Sequence, residues 1–126
     1  MAWILRWLTA FALTQCVEMG FYVNAHRAPR PLAERLAIAF GCSAITHPLV
    51  WFVVQPAMEI ALDASEVSWS GTTAYWIGVL VAESFAVMTE AGFLACFGVR
   101  SALRWALAAN ATSVVLGFYC YLFLDL

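Results

Sequence analysis

The sequence predicts an all-α, polytopic integral membrane protein: a single domain over residues 1–126 with four transmembrane helices in an up-down bundle. Three observations carry that expectation. Of 126 residues, 64% are hydrophobic and 11% charged, whereas soluble domains are roughly 45–50% apolar and about 25% charged. A soluble domain this small keeps a large share of its surface in water and has no core able to hide the excess. Finally, four unbroken apolar stretches each approach the ~20 residues a helix needs to cross a bilayer. Such runs lack the alternation of barrel strands, which leaves helices to satisfy the backbone in lipid.

The first span is expected over 2–25. Its apolar run is too long for a secretory signal, and no small-x-small cleavage site precedes Cys16. "LTQC" also lacks the small residue that precedes a lipoprotein cysteine. The second span, 32–55, contains Pro48, which cannot donate a backbone hydrogen bond and is expected to kink the helix. An outer loop over 56–72 follows. It sets Met58, Ile60, Leu62 and Val67 among Glu59, Asp63 and Glu66, a pattern that predicts a short helix lying in the interface. The third and fourth spans are expected over 73–98 and 101–124. On the fourth, Ala102, Ala106, Ala109, Ser113 and Gly117 recur as a small-residue stripe, and Gly78, Ala82 and Ala86 make a shorter one on the third. Stripes of this kind let helices approach closely in lipid.

Direction follows from the arginines. "HRAPRPLAER" carries Arg27, Arg30 and Arg35, and "GVRSALR" carries Arg100 and Arg104. Both connections lie on one side of an up-down bundle, opposite an acidic loop with no basic residue. The positive-inside rule places loops 26–35 and 100–104 in the cytoplasm and both termini outside, in a cell inner membrane. Arg6 alone dissents. Trp51, Trp69, Tyr75 and Trp76 are expected at the outer aromatic belt. His26 is read as solvated, and the arginine loop as meeting anionic headgroups.

Several chemistries are excluded or disfavoured. A net charge of −2 lacks the basic surface that nucleic acid requires. All six basic residues are arginine, so neither retinal nor pyridoxal phosphate can be held through a lysine Schiff base. Cys16, Cys42, Cys96 and Cys120 form no C-x-x-C pair and are read as small buried hydrophobes.

The informative residues are polar ones inside the spans, where an ionised carboxylate costs roughly 3 kcal/mol. At 1.5 Å per residue, Glu18 lies about 10 Å from the arginine side, Glu90 about 12 Å and Asn110 about 14 Å, so the three are expected to share a layer. Thr14, Gln15 and Tyr22 fall on the face of Glu18, and Ser113 lies one turn from Asn110. Glu83, two turns before Glu90, is expected nearer the depth of His47, beside which Ser43 and Thr46 lie at the Pro48 break. Glu18, His47, Glu83, Glu90 and Asn110 are thus the candidate ion- or proton-binding residues, with Thr14, Gln15, Tyr22, Ser43, Thr46 and Ser113 in support. His47, Glu83 and Glu90 are the candidate ligands of a divalent metal, although no H-x-x-x-H or E-x-x-H pair is present.

The favoured function is a small proton- or ion-coupled carrier, or an ion-binding membrane protein. The alternative is a structural or assembly subunit of a larger membrane complex, joined by interhelical hydrogen bonds. An intramembrane metal-dependent enzyme is a further reading, with Ser84, Thr89 and Ser113 as positional nucleophiles. Besides the bilayer, the expected partners are a second copy of the chain or a larger membrane complex. In general layout the chain is similar to the small multidrug-resistance transporters, with four spans and an embedded glutamate on the first. It lacks a matching glycine pattern on the third helix and a lysine ending the first, so the likeness is of architecture and implies no function.

Overall fold

A computed structural model describes residues 2–25, 30–65, 67–68 and 70–124. Their regular structure is entirely helical: α1 Ala2–Ala25, α2 Leu32–Leu49, a π-helical turn Val50–Val54, α3 Gln55–Asp63, α4 Gly71–Cys96 and α5 Ala102–Leu124. His26, Arg27, Glu66 and Trp69 lie outside the described residues. Two helical runs, 32–63 and 71–96, are long and apolar enough to cross a membrane.

The second helix differs from its expected form. It does not stop at Gln55 before a separate outer segment but remains helical through Pro48 to Asp63. Pro48 and Pro56 flank the π turn, and each deletes one rung of the i→i−4 ladder. The wider turn between them takes up the mismatch, with the Gln55 N–H bonded to the Val50 carbonyl. α3 is therefore an extension of α2 and packs on α4. The connection left before α4 is short, and Ser70 caps that helix by accepting from the Thr73 N–H.

The four long helices close into a ring in which α1 packs on α2 and α5, and α4 packs on α5 and α2. The small residues make this approach close: Ala106 and Ala109 are fully buried, and Ala82 and Ala86 are buried on α4. Large apolar side chains such as Leu5, Leu80, Met88, Val115 and Leu122 point outward.

Arginines close the helix ends where the macrodipole is negative. Arg35 Nε donates to the Val23 carbonyl at 2.8 Å, near the end of α1, and Arg30 Nη2 donates to the Phe97 carbonyl at 2.9 Å, at the end of α4. Around this arginine end, Tyr22, Ala25, Ile38, Ala39, Leu94 and Val99 form an apolar cluster buried to 6% exposure or less.

The turn from α4 to α5 is a Schellman motif. Val99 N–H bonds to the Leu94 carbonyl and Gly98 N–H to that of Ala95, at 3.1 and 2.9 Å. Gly98 sits at φ +75°, and the apolar contact of the motif is the buried Leu94–Val99 pair. Gly98→Ala is expected to cost about 1–2 kcal/mol, because a Cβ is disfavoured in left-handed backbone. Thermal unfolding in mild detergent reads this as a lowered midpoint.

Candidate functional site

Glu90 of α4 is 1% exposed, a position that an acid holds only with partners. It receives one donor from each of the other three long helices. The Tyr22 hydroxyl of α1 and Asn110 Nδ2 of α5, the latter at 2.7 Å, donate to Oε2. Thr46 Oγ1 of α2 donates to Oε1 at 2.6 Å. Glu18 of α1, equally buried, accepts from Ser43 Oγ of α2 on Oε2 and from Ser113 Oγ of α5 at 3.0 Å on Oε1.

Sequence spacing explains this pairing. Glu18 and Tyr22 are four apart on one helix face; Ser43 and Thr46, and Asn110 and Ser113, are three apart. Each of these three helices therefore brings one group to Glu90 and one to the Glu18 bonds. Asn110 Nδ2 also donates to the Ala106 carbonyl at 3.0 Å, and Cys42 Sγ reaches the Glu90 carbonyl at 3.8 Å. Removing one donor tests the network gently. Tyr22→Phe keeps the ring and is expected to cost about 1 kcal/mol, the scale of one interhelical hydrogen bond. Equilibrium unfolding of the detergent-solubilised chain measures it.

The remaining candidates are placed differently. Gln15 is buried and donates to the Phe40 carbonyl at 3.3 Å, while its Oε1 has no partner among the described residues. Glu83 is half-buried and has no hydrogen-bond partner among the described residues. It lines a cavity of about 180 Å³ between the helices, together with Glu18, Glu90, Thr14, His47 and Ser113. That volume is ample for several waters, and no arginine lines it. His47 is 9% exposed, with its ring stacked on Trp51 at 6.0 Å and beside Phe11 at 5.3 Å. Its Nδ1 is buried and has no partner among the described residues.

The candidate metal ligands His47, Glu83 and Glu90 all line the cavity. Among the described residues no group of three or more His, Cys, Asp or Glu is arranged to hold a metal ion. His47, Glu83 and Glu90 share the cavity, but the imidazole packs against an aromatic wall and Glu90 is bonded to three donors. Of the positional nucleophiles, Ser84 is exposed, neither it nor Thr89 lines the cavity, and Ser113 lines it with its hydroxyl donating to Glu18.

Among the lining residues absent from the sequence candidates are Gln55 at the start of α3 and Val79 of α4. Gln55 stands at the edge of an apolar run and Val79 inside one, so only the packing of α3 on α4 reveals their place. Comparison with protein-family models, with curated proteins and with solved structures yields no match.

Proposed function

We propose that this chain is a four-span membrane protein that binds a proton or small cation in the cavity of Glu18, Glu83 and Glu90, as a small proton- or ion-coupled carrier. The observation that carries this reading is the lining itself, with three carboxyl groups, one imidazole and no arginine among the described residues around one cavity. Such a concave site of one charge sign concentrates counter-ions. Support for α1 and α5 as further spans comes from their 24 and 23 residues and their outward apolar faces. The arginines gathered at one end favour that end as cytoplasmic, with both termini outside.

A second reading, a structural or assembly subunit, is favoured by the saturation of Glu90 and Glu18 with donors, since these bonds join all four long helices. Native mass spectrometry from mild detergent separates the two. A carrier is expected as the chain alone or as a homo-oligomer that takes up an added cation, whereas an assembly subunit co-purifies with a different protein in fixed ratio.

A further inference from the structure

We infer that the cavity is filled by small cations, hydronium included, from the end remote from Arg30, Arg35, Arg100 and Arg104, through the groove between α3 and α4. This inference rests on the cation reading of the cavity and adds the direction and route of access.

The groove is a second cavity, of about 450 Å³, walled by Met58, Glu59 and Asp63 of α3 and by Tyr75 and Gly78 of α4. Gln55 and Val79 line both this groove and the inner cavity. Along α4, Val79 lies about 6 Å before Glu83, and Glu90 about 10 Å beyond it, at 1.5 Å per residue. The acidic side chains met in order are Glu59 and Asp63, then Glu83, then Glu90 with Glu18, and His47 is the one imidazole among the described lining residues. Rings of carboxylates and low-dielectric walls favour cations over anions along such a path.

The opposite end is closed. Beyond Glu90, Tyr22 and Leu94 are fully buried, and Ala25, Ile38, Ala39 and Val99 complete an apolar plug at the level of the arginines. His47, nine-tenths buried, also lines the inner cavity. A polar cavity open to one end and plugged at the other is a one-sided vestibule.

Cysteine substitution tests the route in the full chain reconstituted in liposomes. The probes are a cationic methanethiosulfonate (the trimethylammonium reagent) and its anionic sulfonate counterpart, with the unsubstituted chain as background for the native thiols. Val79→Cys is expected to react with the cationic probe from the side opposite the arginines, about tenfold faster than with the anionic one. Adding Glu59→Gln and Asp63→Asn should bring the two rates together. Equal rates in the Val79→Cys chain, reaction from the arginine side, or no reaction overturns the inference.

Gly78→Cys guards against a misfolded variant, since a Cβ at Gly78 meets nothing within 4 Å. Its modification by the cationic probe is expected to slow cation uptake into the liposomes about tenfold by obstructing the groove, and unchanged uptake after full modification overturns the route. Labelling in the expected pattern without uptake by any variant supports the route and removes the carrier reading. Uptake without labelling at either position removes the route and leaves the carrier reading standing.

Discussion

Glu90→Leu is expected to destabilise the folded chain by about 3 kcal/mol or more, the largest loss from any single substitution in the polar layer. A single interhelical hydrogen bond in a membrane bundle is worth only about 0.6–1.7 kcal/mol. Here one change removes an acceptor from three donors at once, although Thr46 Oγ1 also lies 3.4 and 3.3 Å from the Cys42 and Ser43 carbonyls. The Tyr22 hydroxyl, Thr46 Oγ1 and Asn110 Nδ2 all lose the acceptor they share, and a buried donor without a partner costs about 1–3 kcal/mol. The three losses are not additive, because the groups belong to one network and relax together. Asn110 keeps its bond to the Ala106 carbonyl, which limits its share. Glu90→Gln is expected to fall between wild type and leucine. Its amide retains one acceptor oxygen but turns a second donor toward Thr46 or toward Tyr22 and Asn110. Unfolding midpoints of the three proteins in the same detergent should rank wild type, glutamine, leucine; equal midpoints would show that the layer does not hold the bundle together.

Glu83→Gln is expected to give the opposite result, with uptake of protons or cations lost and stability changed by no more than about 0.5 kcal/mol. No hydrogen bond among the described residues depends on the Glu83 carboxyl group, which only lines the cavity. Glutamine keeps its shape and removes its charge. Glu83 and Glu90 share a helix face two turns apart and look equivalent in sequence, where exchange of either for glutamine is expected to abolish activity with folding intact. The structure separates them. Glu90 is tied to three helices, so loss of activity in its variants would not be distinguishable from loss of packing. Glu83 is the position at which charge can be removed alone.

What was legible in the sequence follows from which physical quantity each inference used. The arginine-bearing connections supply a common reference end, and depth follows from counting 1.5 Å per residue along antiparallel helices. Together these placed Glu18, Glu90 and Asn110 in one layer, and the structure brings Glu90 and Asn110 into contact at 2.7 Å. Tyr22 and Ser113 were assigned to the right helix faces by the three- and four-residue spacing. Ser43 and Thr46 were associated with the Pro48 break and with His47, whereas their hydroxyls turn to Glu18 and Glu90. Counting gives depth along a helix but not rotation about its axis relative to a neighbour, and the choice among partners at one depth depends on that rotation.

The α2–α3 segment shows the other limit. Pro48 reads as a kink and the segment after Gln55 as a loop holding a short separate helix. A π turn between Pro48 and Pro56 joins that helix to α2 without a break, and no local propensity announces the join. Without the continuation of α2 into α3, the groove against α4 and its junction at Gln55 and Val79 have no sequence signature at all.

Uptake into liposomes bears most directly on ion or proton binding in the cavity, with wild-type chain and Glu83→Gln reconstituted at matched amounts and an imposed pH or cation gradient across the membrane. The expected result is gradient-driven uptake by the wild type and uptake no greater than that of empty liposomes by Glu83→Gln, while the two proteins unfold at the same midpoint. Equal uptake by both, or a wild type indistinguishable from empty liposomes, would contradict the carrier reading and leave the glutamates as the groups that hold four helices together.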